Sequence, residues 1–149
     1  MKFLRGSFFL ALLFAVSGCS STVRFLIVNK GKVAVLITID IPRPKSGSVI
    51  FSPFGFTFYP FKNGTLDYEN RGPFTPKTTG DVHEVSIPAH TVLEIGHIMN
   101  QKYENSRQAF NNGREFNLKK LRVAKIEIDR ENFDNYFKKT EYGVVWELP

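Results

Sequence analysis

The side chains that could bind a metal ion or move a proton are few and are spread along the chain. Three histidines, His83, His90 and His97, recur at intervals of seven, and Glu84 and Glu94 lie among them. Two histidines on neighbouring antiparallel strands could meet around zinc, but no compact pair such as H-x-x-x-H is present. Each histidine also fits an ordinary strand or turn. The sequence therefore predicts no metal and no other cofactor.

Local catalytic motifs are absent from the sequence. It contains no nucleophile elbow, no glycine-rich phosphate loop and no supported pair of carboxylates. Asn63-Gly64-Thr65 matches a glycosylation sequon, but the same residues are typical of a tight turn. We therefore expect a binding protein and not an enzyme. A hydrolase would require His, Asp and Glu residues that are distant in sequence to meet in one cleft.

The single cysteine, Cys19, follows a segment with the features of an export signal. Lys2 and Arg5 make the start positive, and nine apolar residues occupy positions 8–16. As a helix this run would span about 14 Å, less than half of a ~30 Å hydrocarbon core, which disfavours a transmembrane helix. A charged start, a short apolar run and small residues at its end predict a secretory signal that is removed.

Val16-Ser17-Gly18-Cys19 resembles the lipobox of bacterial lipoproteins, which has an aliphatic residue, two small residues and a cysteine. The resemblance covers residues 1–19 and implies a signal peptide at 1–18 and a diacylglycerol thioether on Cys19, with membrane lipid as the partner. Two or three acyl chains anchor a protein durably, and an acylated cysteine cannot be a catalytic thiolate or a metal ligand. The alternative is an ordinary signal peptide with an incidental cysteine.

The residues after Cys19 predict where the protein is delivered and how closely it is held. Ser20 stands where enterobacterial-type sorting uses aspartate to retain a lipoprotein in the inner membrane. The resemblance thus implies the cell envelope, at the outer membrane and facing the periplasm. Strand-like sequence begins by Val23, so residues 19–22 form a tether of about 14 Å at most. We expect the domain to lie against the lipid headgroups.

Residues 23–149 have the composition of one ordinary globular domain. Apolar residues make up 42% and charged residues 23% of the chain. Without Lys2 and Arg5, the 20 basic residues become 18 against 14 acidic ones, and the charge falls from +6 to +4. That excess is too small to predict a nucleic-acid partner.

Alternating apolar and polar residues predict strands over most of the domain. Residues 23–28 and 33–41 flank turn-forming residues and predict a β-hairpin. Further strands are predicted at 48–52, 54–61, 82–87, 91–98, 121–128 and 142–148, with a long exposed excursion at 62–81 and a helical turn or two at 103–110. A short helix after Asp129 would place Phe133, Tyr136 and Phe137 on one face. Seven or eight strands with one short helix predict an all-β antiparallel β-sandwich, immunoglobulin-like or related.

Two clusters are candidate contact surfaces. The first is aromatic and is predicted to touch a partner or the membrane: Phe54, Phe56, Phe58, Tyr59 and Phe61. Alternatively, Phe54, Phe56 and Phe58 form the inward face of a strand, which Pro53 and Pro60 would place at a sheet edge. The second cluster is basic, and its alternative is a solvated strand face: Arg114, Lys119, Lys120, Arg122 and Lys125.

These features favour an envelope lipoprotein that binds another envelope protein as an accessory or assembly component. In overall plan such a chain resembles the small outer-membrane lipoproteins of secretion systems, which are also tethered β-sandwiches. The alternative is a lipoprotein that binds a small apolar molecule or a cell-wall fragment between its sheets. That alternative predicts a cavity of ~300 Å³ or more, lined by several phenylalanines.

Overall fold

The fold is known from a computed structural model that describes residues 21–43 and 48–149. The predicted signal segment with Cys19, and residues 44–47, lie outside the described residues. Two β-sheets pack face to face, which confirms the predicted all-β sandwich. The strands are β1 Thr22–Asn29, β2 Val35–Asp40, β3 Thr57–Lys62, β4 Thr65–Leu66, β5 Gly72–Pro73, β6 Lys77–Thr79, β7 Val82–Ile87, β8 Thr91–Met99, β9 Lys120–Val123, β10 Ile126–Ile128, β11 Lys138–Thr140 and β12 Gly143–Glu147.

The larger sheet has seven strands and the smaller sheet has five. The order is β11-β12-β1-β8-β3-β4 in the larger sheet, with β5 also paired to β3, and β10-β9-β2-β7-β6 in the smaller one. Strand pairs are antiparallel except β1 and β12, which run parallel in the part of the chain that the structure describes. The strands outnumber the predicted ones for three reasons. The excursion at 62–81 contributes three strands of two or three residues, the stretch at 121–128 forms two strands, and β11 was not predicted.

The hairpin predicted for β1 and β2 is wrong, because these strands lie in different sheets. In β1, residues 25–28 are all at most 5% exposed, so both faces of that strand are covered. In β2, by contrast, Ile37 and Ile39 are buried while Leu36 is 62% exposed. A strand that is covered on both faces fits the middle of the larger sheet, whereas a strand with one solvent-exposed face fits the smaller sheet.

Asn29 holds the connection between the two sheets. Its buried amide donates to the carbonyl oxygen of Val33 at 2.9 Å and to that of Ile87 at 3.0 Å. Its side-chain oxygen accepts from the backbone N–H of Gly31 at 3.0 Å. These bonds satisfy backbone groups where the chain leaves one sheet for the other, which a buried crossing requires.

The single strand predicted at 121–128 is two strands, β9 and β10, joined by a tight turn. Ala124 adopts the left-handed conformation, with a φ of 51°. Val123 pairs with Ile126, so the chain reverses over two residues. Ala-Lys is not a turn-forming dipeptide, and the alternation of apolar residues continues across it, so neither signal reveals the reversal.

Two further local predictions are corrected. Residues 48–52 form only isolated bridges, from Val49 to Glu115 and from Phe51 to Gly96. Residues 103–110 contain no helical turn, and a short 3₁₀ turn follows at Asn111–Gly113.

The short helix α1, Phe133–Tyr136, confirms the predicted apolar face. Phe133 and Phe137 are fully buried, and Tyr136 is half-buried against the same core. Five aromatic rings fill the space between the sheets, with successive centroids 5.1, 4.9, 5.1 and 4.1 Å apart, in the order Phe25, Phe51, Phe116, Phe133 and Phe137. This core positions the segment at 49–54, which forms one wall of the groove described below.

Candidate functional site

The structure separates the five aromatic candidates. Phe54 lies in a 3₁₀ turn before β3 and is 98% exposed. Phe56 is 1% and Tyr59 is 2% exposed, so burial removes both from any contact surface. Phe58 is half-buried against the main core, and Phe61 is half-buried on the opposite face of the larger sheet. The inward-facing alternative therefore holds for Phe56 and Phe58 but is wrong for Phe54.

The predicted sheet edge at this segment is also corrected. β3 pairs with β8 on one side and with β4 and β5 on the other. Pro60 is tolerated in this interior strand because it lies near the strand's end, opposite Thr91, the first residue of β8. The carbonyl oxygen of Pro60 accepts from the backbone N–H of Asp67 at 2.9 Å.

Beside Phe54, the sandwich opens into an apolar groove of about 440 Å³. The groove lies where the smaller sheet ends in β6, and its opposite wall is the segment at 49–54. Residues of the smaller sheet and of the segments outside the strands line it, among them Phe51, Pro53, Phe54, Pro76, Thr78 and His83. Within the described chain, β6 pairs only with β7, so the outer edge of β6 carries unpaired backbone groups next to this groove.

His83 forms part of the groove wall and is uncharged there. Burial lowers the pKa of His83, and the nearby acids Asp81 and Asp40 do not reverse that direction. Its Nδ1 lies 2.9 Å from the hydroxyl oxygen of Thr78, and its ring meets Phe56 edge-on. A neutral imidazole bonded to a hydroxyl keeps this wall predominantly apolar.

A buried polar cluster, which the sequence analysis did not single out, lies on the outer face of the larger sheet. Glu94 in β8 is 6% exposed and accepts a hydrogen bond from the Tyr59 hydroxyl. The Arg24 guanidinium lies 3.4 Å and the His97 Nδ1 lies 3.3 Å from its carboxylate oxygens. The sequence signal for this cluster was Glu94 itself, the one acid within the apolar run of β8. A buried charge requires partners, so such an acid indicates polar side chains around it.

A β-bulge brings Glu94 and His97 to the same face of β8. Residues three apart in a regular strand point to opposite faces. Here Phe25 pairs with Gly96 and Leu26 pairs with Glu94, so Ile95 is the extra residue. The inserted residue reverses the alternation and directs both ionisable side chains outward.

The groups in this cluster hold one another in place and do not form an activated nucleophile. Burial and the bonded Glu94 carboxylate raise the pKa of the Tyr59 hydroxyl to about 12. Burial alone would raise the pKa of Glu94, but His97, Tyr59 and Arg24 together outweigh it and lower that pKa. The Tyr59 hydroxyl therefore keeps its proton, and the Glu94 carboxyl loses its proton easily. This combination favours a stable hydrogen bond from Tyr59 to the ionised Glu94.

A second internal cluster, at Asp134, is likewise structural. Asp134 accepts hydrogen bonds from the Tyr103 hydroxyl at 2.6 Å, and from the Ser106 hydroxyl at 2.8 Å and backbone N–H at 2.9 Å. The Ser106 side chain is almost completely buried, and no histidine bonds to it. The cluster fastens the irregular segment at 103–110 to helix α1.

The three histidines lie on separate surfaces. His83 faces the inside of the sandwich, His90 lies in the turn between β7 and β8, and His97 lies on the outer face of the larger sheet. Over residues 21–43 and 48–149, no three metal-ligating side chains form a group that could hold an ion. A hydrolytic cleft built from these histidines is not formed.

Three of the five cations in the basic cluster pair with acids of the same chain. Lys120 and Arg122 both pair with Glu127, at 2.6 and 2.9 Å, across the β9–β10 turn. Lys119 pairs with Asp40 at 3.4 Å. Arg122 alternates with the buried Leu121 and Val123, as the solvated-face alternative predicted.

Comparison of the chain with protein-family models, with curated protein sequences and with solved structures finds no match. In the described ranges, no helix combines the length and hydropathy needed to cross a bilayer. The site geometry therefore carries the functional argument.

Proposed function

We propose that this chain is a lipid-anchored protein of the bacterial cell envelope whose β-sandwich binds an extended segment of another protein. The anchor is the acylated Cys19, at the outer membrane and on its periplasmic side, and the role is that of an accessory or assembly component. The support for the anchor is the lipobox resemblance at residues 1–19. β1 begins at Thr22, which agrees with a very short tether.

The observation that carries the binding role is the exposed Phe54 ring beside an apolar groove and a free strand edge. A peptide that pairs with the outer edge of β6 would place every second side chain on the groove side. Phe54 is 98% exposed, so no residue of the described ranges 21–43 and 48–149 covers its ring. Covering such a ring contributes about 1.5–3 kcal/mol, so the partner supplies the missing contacts.

The groove also supports the second candidate, capture of a small apolar molecule or a cell-wall fragment. Its volume of about 440 Å³ exceeds the minimum that this alternative requires, and Phe51 and Phe54 line it. The groove lies at the β6 end of the smaller sheet, whereas aromatic rings fill the space between the sheets. The groove continues directly to the β6 edge, which favours an extended peptide over a compact ligand. The two candidate functions differ in what occupies the groove, a protein segment in the first and a small molecule or glycan in the second.

A photo-crosslinking amino acid at position 54 in intact cells tests the proposal. The matched control replaces Leu36, which is also exposed but lies on the outer face of the smaller sheet. We expect position 54 to give one discrete protein adduct, mapped by mass spectrometry to a single segment of the partner, and position 36 to give none. An adduct of lipid or glycan mass would instead support the second candidate, and identical patterns at both positions would refute groove binding.

The anchor has a separate test. The N-terminal peptide of the protein isolated from membranes should begin at Cys19 and carry the mass of two or three acyl chains. A Cys19→Ala variant should leave the membrane fraction. An unmodified peptide that begins at another residue would refute the lipid anchor while leaving groove binding open.

A further inference from the structure

The N-terminal end of β1 opens onto a second depression, of about 300 Å³, that is basic and aromatic. Three cations line it, Arg24, Lys102 and Lys139, together with one acid, Glu141. Tyr68 and Tyr142 supply two rings. We call this depression the tether pocket, because Thr22, the first residue of β1, forms part of its wall.

The charge in the tether pocket is available to an outside anion. Arg24 is shared with the buried Glu94, at 3.4 Å. Lys102 and Lys139 are exposed, and among the described residues neither has an acid within ion-pair distance. The Lys139 ammonium lies 5.9 Å from the centre of the Tyr103 ring, which holds it at the pocket.

The two tyrosines suit the boundary between water and lipid. Tyr68 is 42% exposed, and the Arg24 guanidinium lies 5.5 Å above its ring. Tyr142, which also lines the pocket, is half-buried. Tyrosine rings gather at headgroup depth because their apolar body and polar tip prefer different sides of that boundary.

Chain length places this pocket at the membrane. Only Ser20 and Ser21 lie between Cys19 and Thr22. The three Cα–Cα steps span about 10 Å when the chain is extended. The headgroup layer on each side of the hydrocarbon core is about 5–8 Å thick. If Cys19 carries acyl chains, the tether pocket therefore lies at the level of the lipid phosphates.

We infer that the tether pocket binds the phosphate-bearing headgroup of an anionic phospholipid. Lys102 and Lys139 contact the phosphate, and Tyr68 and Tyr142 pack at the level of the headgroup. The inference rests on the proposed Cys19 anchor, which brings the headgroup within reach. Its consequence is a fixed orientation, with the start of β1 against the membrane and the body of the sandwich held away from the lipid.

Lysine footprinting of the intact, acylated protein tests the inference. The protein is reconstituted in vesicles of phosphatidylcholine alone, or of phosphatidylcholine with phosphatidylglycerol, and briefly acetylated. A lysine at an anionic surface gains about 1 kcal/mol, so Lys102 and Lys139 should each react about fivefold more slowly in the anionic vesicles. Lys32, beyond the far end of β1, and Lys77, in β6 of the other sheet, are the matched controls and should react equally in both.

Three outcomes would overturn the inference, and each is distinct. Equal reactivity of Lys102 and Lys139 in both vesicles would exclude a headgroup site. If Lys32 and Lys77 were protected as strongly as Lys102 and Lys139, the anionic surface would attract the protein by charge alone, without a pocket. Protection by inorganic phosphate in neutral detergent, as strong as that by the anionic vesicles, would indicate a free-phosphate site. The N-terminal peptide of the same digest reports acylation of Cys19, so failure of the anchor is read independently.

Discussion

The Tyr59 hydroxyl donates a 2.6 Å hydrogen bond to Oε2 of Glu94, across two neighbouring strands and on the outer face of the larger sheet. Both residues are almost completely buried. Arg24 and His97 complete the surroundings of the carboxylate at 3.4 and 3.3 Å. Three side chains, from β3, β1 and β8, thus stabilise the charge of Glu94. The first two predictions concern the bond between Tyr59 and Glu94.

The first prediction concerns acid pH. The pKa of Glu94 is lowered in the folded state, so its contribution to stability is present above the ordinary value of 4.5 and is lost as pH falls through the lowered value. We expect Glu94→Gln to be less stable than the wild type at neutral pH. The difference between the two should shrink as pH falls. Urea unfolding at a series of pH values measures it.

Glu84→Gln is the matched control, because it removes an exposed carboxylate that pairs with Lys77 at 3.6 Å. An exposed pair contributes under about 1 kcal/mol, so this variant should unfold close to the wild type at neutral pH. A constant offset between Glu94→Gln and the wild type at all pH values would contradict the prediction.

The second prediction concerns Tyr59→Phe, which removes only the hydroxyl. A hydrogen bond to a charged partner contributes about 1.5–3 kcal/mol, and we expect that loss in the free energy of unfolding. In the wild type the raised pKa of about 12, against an ordinary 10.0, gives stability that is full below pH 10 and is lost as pH rises through 12. Tyr59→Phe should not show this part of the loss of folding stability at alkaline pH.

Tyr68→Phe is the control for that experiment, because Tyr68 is 42% exposed and keeps its ring contact with Tyr59. Ultraviolet titration of tyrosinate should show one late-ionising tyrosine fewer in Tyr59→Phe than in Tyr68→Phe. Equal numbers in the two variants would show that Tyr59 ionises like a surface tyrosine.

The third prediction concerns Gly96, where a side chain has no room. A Cβ there would lie 2.3 Å from the carbonyl oxygen of Ile50 and 2.9 Å from the Phe51 ring. Gly96→Ala should therefore cost about 1–3 kcal/mol or more through overpacking. Gly55→Ala is the control, since nothing lies within 4 Å of its Cβ. Equal stability of both variants in urea would place the segment at 50–51 farther from β8.

The fourth prediction concerns Asn117, whose amide imitates a strand partner. Its Oδ1 accepts from the Phe51 N–H at 3.0 Å, and its Nδ2 donates to the Phe51 carbonyl at 2.9 Å. Asn117→Asp replaces the donor by a buried carboxylate oxygen and should cost about 3 kcal/mol at neutral pH. Protonation restores a donor, so part of the loss should return as pH falls.

Asn112→Asp is the control, because Asn112 is exposed in the 3₁₀ turn at Asn111–Gly113. Chemical denaturation of both variants at neutral and mildly acid pH measures the difference. A loss in Asn117→Asp that does not change with pH would contradict the assigned hydrogen bonds.

Some features were readable from local sequence because local contacts decide them. Ile37 and Ile39 in β2 are buried and alternate with less buried residues as predicted. Phe133 in α1 and Phe137, directly after it, are both buried as the spacing predicted. The turn at Asn63-Gly64 is formed, with φ values of 51° and 80°. In each case the spacing or the backbone preference of neighbouring residues determines the structure.

The candidate site was only partly predictable. The aromatic segment was recognised, but the exposure of Phe54 and the burial of Phe56 depend on a 3₁₀ turn that the alternation hides. Glu94 and His97 meet because of the bulge at Ile95, which exists only against the facing residues of β1. The isolated Gly96 in β8 is a sequence sign of an irregular strand, but it does not reveal which residue is inserted or which side chains the bulge brings together.

The sequence by itself determined the all-β class and the buried face of most strands, because each depends on residues adjacent in the chain. The lipid anchor at Cys19 stays a prediction from the same kind of local pattern. The tertiary structure decided that β1 and β2 belong to different sheets, that β12 lies parallel to β1, and that the groove and the tether pocket exist. The physical reason is that the alternation of apolar and polar residues along a strand indicates only which face of that strand is buried. Which strand lies beside it depends on contacts between residues far apart in the chain.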